Sequence, residues 1–258
     1  MSDAIHPTAL VDPGAELGRD VEIGPYCIVG ADVHLGDGCR LQSLVRLEGP
    51  SFFGPRCRFF HGAALGGEPQ DLKYAGARSS LRAGSGNTFR EFCTVHRATT
   101  DGEETLVGDE NLVMAYAHIA HNCRVGSHVI LGNCATLAGH VEVGDYAIIS
   151  GVTPVHQFVK VGEHAIVGGG CRVPKDVTPF VMAAGHPLAV HGLNVVGLRR
   201  RGFSEQAVEE LHKLYRIFFR SNLVTEEAVK TIRAECLPLP EIERFCSFVE
   251  ASERGLTR

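Results

Sequence analysis

The stretch "VMAYAHIAHNCRVGSHVILGNCATLAGHVEVGDYAIISG", residues 113–151, carries a large apolar residue at every sixth position. The series begins at Val113 and runs without a gap to Ile149. A six-residue period fits neither the 3.6-residue turn of an α-helix nor the alternation of a long strand. It is the period of a parallel β-helix, in which each hexapeptide forms one short side of a coil and three sides close a turn of ~18 residues.

The same period extends in both directions from this stretch. It runs from Ile5 to Leu65, returns at Phe89, and continues from Val107 to Val173. Two segments interrupt it, "GGEPQDLKYAGARSS" at 66–80 and "TTDGEET" at 99–105. We therefore predict a β-solenoid over residues 1–190.

The rest of the chain shows helical spacing instead. Ser204 is a plausible N-cap for a first helix, a second helix is predicted to start at Thr225, and a third to run from Pro240 to a stop at Gly255. We predict a C-terminal α-helical domain over residues 191–258, which would cap the exposed end of the solenoid.

Composition excludes several classes of protein. A net charge of only −5 argues against a nucleic-acid-binding surface. There is no secretory leader and no long apolar run, so we expect a cytoplasmic protein without membrane insertion. Nine cysteines without a CxxC pair fit a reducing compartment better than a disulfide framework. Six of them occupy the small-residue position four after an apolar one, where cysteine acts as a buried hydrophobe: Cys27, Cys39, Cys57, Cys93, Cys123 and Cys171.

Counting by one coil of 18 residues brings polar residues together. Gly139 follows His121 by one coil and Gln157 follows by two, while His140 comes one coil after Asn122. The glycine leaves space above the imidazole. The clustered polar residues are His118, His121, Asn122, His140, His156 and Gln157.

Two chemistries compete for this cluster. A zinc-dependent hydratase of the gamma carbonic anhydrase type would need three imidazoles directed at one metal ion. Acyl transfer needs only a neutral imidazole that takes a proton from a hydroxyl, because a thioester is already activated. A solenoid scaffold without chemistry is the third reading.

Several segments together resemble the UDP-N-acetylglucosamine O-acyltransferases that begin lipid A biosynthesis. They are "QDLKYAG", "HIAHNCRVG", "LAGHVEVGDYAIISG", "VHQF" and "GLNVVGLRRRGFS", and the resemblance covers essentially the whole chain. It implies an all-β left-handed parallel β-helix, a homotrimer with active sites between subunits, no cofactor and no metal. It also implies transfer of an (R)-3-hydroxyacyl chain from acyl carrier protein to the sugar 3-hydroxyl.

The resemblance also implies roles for individual residues. His121 matches the general base, and the backbone amide of Gly139 would be a donor to the oxyanion. Gly169 matches the position where the acyl chain ends, which favours a long donor. Asp71 or Lys73 is expected to face His121 from another subunit. The residues expected to bind substrate are Asp71, Lys73, His118, Asn122, His140, Gln157, Asn194, Arg200 and Arg201.

Two residues depart from the family pattern. Asn122 stands where an aspartate is common, and a neutral amide orients an imidazole but cannot stabilise its charge as a carboxylate would. Val196 replaces a frequent acidic residue. These departures keep open an alternative acceptor, a 3-amino UDP-sugar, because an amine demands less of its base.

Overall fold

The chain folds as the left-handed parallel β-helix that the sequence predicted. The computed structural model describes residues 4–258, so the first three residues of the predicted solenoid domain lie outside it. Consecutive strands of the solenoid belong to different sheets, and each coil adds one short strand to each face. Along most of the solenoid, strand partners are 18 residues apart, as in the pair Ile119↔Leu137.

Across the described residues the strands, numbered β1 to β26 in chain order, form three sheets. The first sheet contains β1 Leu10–Val11, β4 Ile28–Val29, β7 Arg46–Leu47, β10 Ala64–Gly67, β13 Thr94–His96, β16 His118–Ile119, β19 Thr136–Leu137 and β22 Pro154–Val155. The second contains β2 Glu16–Leu17, β5 Val33–Leu35, β8 Ser51–Phe53, β11 Ser80–Ala83, β14 Glu104–Val107, β17 Arg124–Val125, β20 Glu142–Val143 and β23 Lys160–Val161. The third contains β3 Glu22–Ile23, β6 Arg40–Leu41, β9 Arg58–Phe59, β12 Thr88–Phe89, β15 Leu112–Val113, β18 Ile130–Leu131, β21 Ile148–Ile149, β24 Ile166–Val167, β25 Val181–Ala184 and β26 Ala189–Leu193.

The apolar residue of each hexapeptide points into the solenoid. Ile119, Leu131 and Leu137 have no exposed surface, and burying such a side chain stabilises a fold by about 1.5–3 kcal/mol. Phe59 and Phe89 stack on each other inside the solenoid with their ring centroids 5.3 Å apart. Each column of inward residues thus fixes the vertical register of the coils, because a shift by one residue would turn every apolar side chain outward.

The six cysteines predicted to be structural are buried, and all nine are free thiols. Burial raises the pKa of both Cys93 and Cys123 to about 12. These thiols therefore stay protonated at neutral pH, which makes them poor nucleophiles and poor metal ligands.

Both interruptions of the repeat are loops that leave the solenoid at the same corner, between the first and second sheets. The first insertion, residues 68–79, connects β10 to β11, and partners across it are 30 residues apart, as in Ala64↔Thr94. The second insertion, residues 97–103, connects β13 to β14, and its partners are 24 apart, as in Ser80↔Glu104. The coils above and below keep their stacking.

Beyond the last coil, β25 and β26 pair as an antiparallel hairpin on the third sheet. Four helices follow: α1 Val195–Arg200, α2 Glu205–Arg220, α3 Thr225–Glu235 and α4 Pro240–Glu250. The predicted N-cap is confirmed, because the Ser204 hydroxyl accepts a hydrogen bond from Ala207 N at 3.1 Å. Helix α2 packs on β26, which extends the hydrophobic core of the solenoid into the helices.

The predicted end of the last helix was wrong. Helix α4 ends at Glu250 rather than near Gly255, because the tail turns back to the solenoid. Asp176 holds it there: its Oδ2 accepts from Ser252 Oγ at 2.7 Å, and its carbonyl accepts from Thr257 N at 2.8 Å. The predicted domain boundary at 190/191 falls inside β26 and stays a prediction. Among residues 4–258, no helix is long and apolar enough to cross a membrane.

Candidate active site

His121 lies at the corner between the first and second sheets, the corner from which both insertions leave. Its side chain is 13% exposed. Nδ1 lies 2.9 Å from Asn122 Oδ1, and Nε2 lies 3.9 Å from Asp71 Oδ2, too far for a hydrogen bond. One ring nitrogen is thus held by the protein, while the other makes no hydrogen bond within residues 4–258.

Gly139 lies directly over this imidazole, as counting by coils predicted. A Cβ at residue 139 would be only 2.4 Å from His121 Cε1, so a larger residue would displace the ring. In the described part of the chain, the Gly139 N–H donates to no hydrogen-bond acceptor. It is therefore a free donor beside the imidazole.

The neighbouring imidazoles are held neutral. His118 Nδ1 lies 2.7 Å from Thr94 Oγ1. Burial, together with the charges that His96 and His121 would carry, lowers the pKa of His118 to about 4. The pKa of His140 is also lowered, mainly by burial, and its ring meets that of His121 edge-on at 5.3 Å. His118 and His140 are therefore suited to exchanging hydrogen bonds as neutral rings rather than to carrying charge.

The first insertion reaches His121 of its own chain, so the expectation that another subunit supplies Asp71 was wrong. Arg97 holds this loop over its own coil. Its guanidinium donates to Gly66 O at 3.0 Å and to Tyr74 Oη at 3.1 Å. It also pairs with Glu68 at 3.6 Å. Lys73 is exposed two residues further along the same loop.

Other predicted residues lie near this corner or along the same coils. Gln157 is exposed one coil beyond Gly139. Gly169 is exposed at the corner between the third and first sheets, where an added Cβ would lie 3.2 Å from Gly151 O and meet no closer atom. Asn122 engages both of its side-chain polar atoms within the chain, so its predicted substrate contact stays a prediction.

Asn194, Arg200 and Arg201 do not meet His121 within one chain. Asn194 is buried, caps α1 through Gly197 N at 3.0 Å and donates to the backbone of the solenoid. The guanidinium of Arg201 lies 4.3 Å from the ring centroid of Tyr146, at the corner between the second and third sheets. The second sheet therefore separates this group from the imidazole of the same chain.

Sequence reasoning missed the residues that support the site from the insertions. Arg97, Thr99 and Glu103 lie outside the six-residue period, so no column of the repeat marks them. The sequence feature that could have pointed to them is the pair of interruptions in the six-residue repeat. No three His, Cys, Asp or Glu side chains are grouped as a metal site within residues 4–258.

Comparison with known proteins agrees with this architecture. The model of domain 2 of the UDP-N-acetylglucosamine O-acyltransferases matches residues 176–257, and the bacterial transferase hexapeptide model matches 5–49 and 104–139. An acyl-[acyl-carrier-protein]–UDP-N-acetylglucosamine O-acyltransferase of Thermodesulfovibrio yellowstonii is 47% identical over 98% of this chain and 99% of its own. The chain belongs to this acyltransferase family. A second such enzyme, from Trichlorobacter lovleyi, is 45% identical over 99% of both chains.

Solved structures of the family superpose closely on this acyltransferase. The UDP-N-acetylglucosamine acyltransferase of Bacteroides fragilis has a TM-score of 0.96 at 40% identity, covering 98% of this chain and 100% of its own. The protein from Acinetobacter baumannii has the same TM-score and identity, with 99% and 100% coverage.

The lowered pKa of the half-buried His118 predicts a loss of stability in mild acid. Its pKa falls from an ordinary 6.5 to about 4 on folding. Between these pH values the unfolded chain binds a proton that the folded protein does not, so the free energy of unfolding decreases as the pH falls through this window. Urea unfolding at pH 7 and pH 5 should show a smaller difference for His118→Gln than for the wild type. His212→Gln, on the exposed face of α2, is the control, and an equal pH effect in all three proteins contradicts the assignment.

Proposed function

We propose that this acyltransferase moves an (R)-3-hydroxyacyl chain from acyl carrier protein to the 3-hydroxyl of UDP-N-acetylglucosamine, as the first step of lipid A biosynthesis in the cytoplasm. The names of its relatives support the donor and the acceptor. The observation that carries the mechanism is His121, with Nδ1 held by Asn122 and Nε2 left free beside the Gly139 amide.

In the proposed reaction, His121 Nε2 takes the proton of the sugar 3-hydroxyl as its oxygen attacks the thioester carbonyl carbon. The negative charge that develops on the carbonyl oxygen is stabilised by the Gly139 N–H. The intermediate collapses, the carbon–sulfur bond breaks, and the imidazolium returns its proton to the sulfur of the departing carrier protein. Asp71 lies close enough to stabilise the transient positive charge on the imidazole.

Removing the base tests this mechanism. We expect His121→Ala to lower kcat by at least ~100-fold, the usual scale for loss of a general base, while circular dichroism and the melting temperature stay near wild type. Each variant is assayed with UDP-N-acetylglucosamine and with its 3-amino analogue. Faster turnover of the amino sugar by the wild type favours the alternative acceptor, and full activity of His121→Ala assigns the base to another residue.

We also propose that the enzyme is a homotrimer whose active sites lie between subunits. The support is the separation of Arg200 and Arg201 from His121 within one chain. A planar guanidinium binds phosphate well, so these arginines suit the diphosphate of the sugar nucleotide. A neighbouring subunit would present them to the corner that carries the base.

Mixing two impaired chains, one without the proposed base and one with weakened binding of the sugar nucleotide, tests this arrangement. Trimers assembled from His121→Ala and Arg200→Ala chains should regain activity, because a site with the base from one chain and the arginine from the other is intact. Each variant refolded alone serves as the control. If mixed trimers are no more active than the sum of the separate variants, both residues serve the same subunit's site.

We propose that Gly169 sets the length of the acyl chain that the enzyme prefers. Its column continues through Gly151, Asn133 and Ala115, none of which is large enough to block a groove. We expect the wild type to prefer a long donor and Gly169→Met to prefer a shorter one, because the added side chain fills the end of the groove. Competition between acyl carrier proteins loaded with donors of different length measures this. An unchanged ranking of donors would place the end of the groove elsewhere.

A further inference from the structure

The amide of Asn122 lies between the proposed base and a carboxylate that the mechanism above does not use. Its Oδ1 lies 2.9 Å from His121 Nδ1, and its Nδ2 lies 2.6 Å from Glu103 Oε2. Glu103 is an exposed residue of the second insertion. The three side chains form one continuous hydrogen-bonded chain from the imidazole to this carboxylate.

The donors and acceptors around Asn122 leave only one orientation for its amide. The Thr99 N–H can only donate, and it lies 3.2 Å from Oδ1. The Glu103 carboxylate can only accept, so it must meet the NH₂ group. Since Oδ1 is then the acceptor that faces His121, Nδ1 carries the ring hydrogen and Nε2 keeps its lone pair. This is the tautomer that a general base at Nε2 requires.

Glu103 also brings negative charge to a neutral amide. A carboxylate that accepts from Nδ2 polarises the amide and increases the electron density on Oδ1. Oδ1 then becomes a better acceptor for Nδ1–H at the moment when the ring gains its second proton. The backbone fixes Glu103 in place, because its carbonyl accepts from Ser80 N at 3.0 Å and its N–H donates to Thr100 O at 3.1 Å.

We propose that Glu103 is a positioning residue for the reaction: it holds the amide of Asn122 in one orientation and transmits its negative charge through that amide to His121. This inference rests on the role proposed above for His121 as the base. Because Glu103 is exposed, solvent and salt screen part of its charge, so its contribution is smaller than that of a carboxylate in direct contact with the ring.

The first test compares Glu103→Gln with Glu104→Gln. The control carboxylate is adjacent in the chain but binds Arg82 at 3.1 Å and Ser80 at 3.0 Å instead. We expect Glu103→Gln to lower kcat about tenfold with KM unchanged, the lower end of the range found when a residue that orients a metal-bound histidine is removed. Glu104→Gln should match the wild type. Equal kcat in all three proteins overturns the proposal.

The pH dependence of kcat is a second test, because the profile would not shift if Glu103 had only a structural role. Loss of a negative charge disfavours the imidazolium, so the acidic limb of the profile should shift to lower pH in Glu103→Gln. The other ionisable groups that face the imidazole are Asp71 of the first insertion and His96, His118 and His140 of the coils. These groups are unchanged in Glu103→Gln and in Glu104→Gln. If the acidic limb does not shift in Glu103→Gln, Glu103 does not transmit its charge to His121.

In a second genetic background, Asn122→Asp, the decrease in kcat caused by Glu103→Gln should disappear or become an increase. In Asn122→Asp, a carboxylate would contact the ring directly and Glu103 would lie against a like charge. Adding Glu103→Gln should then leave kcat equal or higher, whereas in the wild-type background it lowers kcat. If Glu103→Gln slows both backgrounds by the same factor, Glu103 has only a structural role and the proposal fails.

The resting enzyme provides a test that does not depend on turnover. In proton NMR, the Nδ1-bound hydrogen of His121 should resonate further upfield in Glu103→Gln than in the wild type, because its hydrogen bond to Asn122 weakens. The Glu104→Gln spectrum should be unchanged. An unmoved resonance in Glu103→Gln overturns the proposal, whereas full activity of His121→Ala would overturn only the base assignment.

Discussion

The structure depends on the vertical register of the coils. Inward aliphatic side chains recur every six residues, and a slip by one residue would expose all of them at once. The register therefore fixes more than the core, because every outward position also falls into a column. Gly139 lies over His121 for this reason, and the close approach of the glycine to the ring is a consequence of hydrophobic packing inside the solenoid.

This regularity explains how much could be predicted from sequence. The six-residue period predicted the solenoid and the buried cysteines. It also predicted that Gly139 lies over His121, because stacking brings residues one coil apart in sequence into contact. The insertions lie outside the period, so no register defined their paths. For this reason the assignment of Asp71 to a neighbouring subunit failed, and Arg97 and Glu103 were not recognised. The end of α4 was also missed, because a contact distant in sequence, at Asp176, decides where the tail turns.

Charge is sparse at the proposed active site. His96, His118 and His140 are kept neutral mainly by burial, so they add donors and acceptors without repelling a protonated base. The carboxylates approach His121 from two sides, Asp71 near Nε2 and Glu103 behind Nδ1 through an amide. Such an environment suits the role proposed for His121, which would accept a proton and return it within one turnover, because a strongly bound ion pair would hold the proton too long.

Both carboxylates come from insertions that leave at the corner where His121 lies. A solenoid coil offers only short, regular sides, and its outward positions repeat at a fixed spacing along the axis. Such a surface can hold an imidazole rigidly but cannot bring a side chain back over it. The insertions overcome this limit. The first brings Asp71 to the Nε2 side of the ring, and the second brings Glu103 to the Nδ1 side, where it contacts the ring through the amide of Asn122. The repeat thus fixes the position of the proposed base, and the two insertions supply the carboxylates around it.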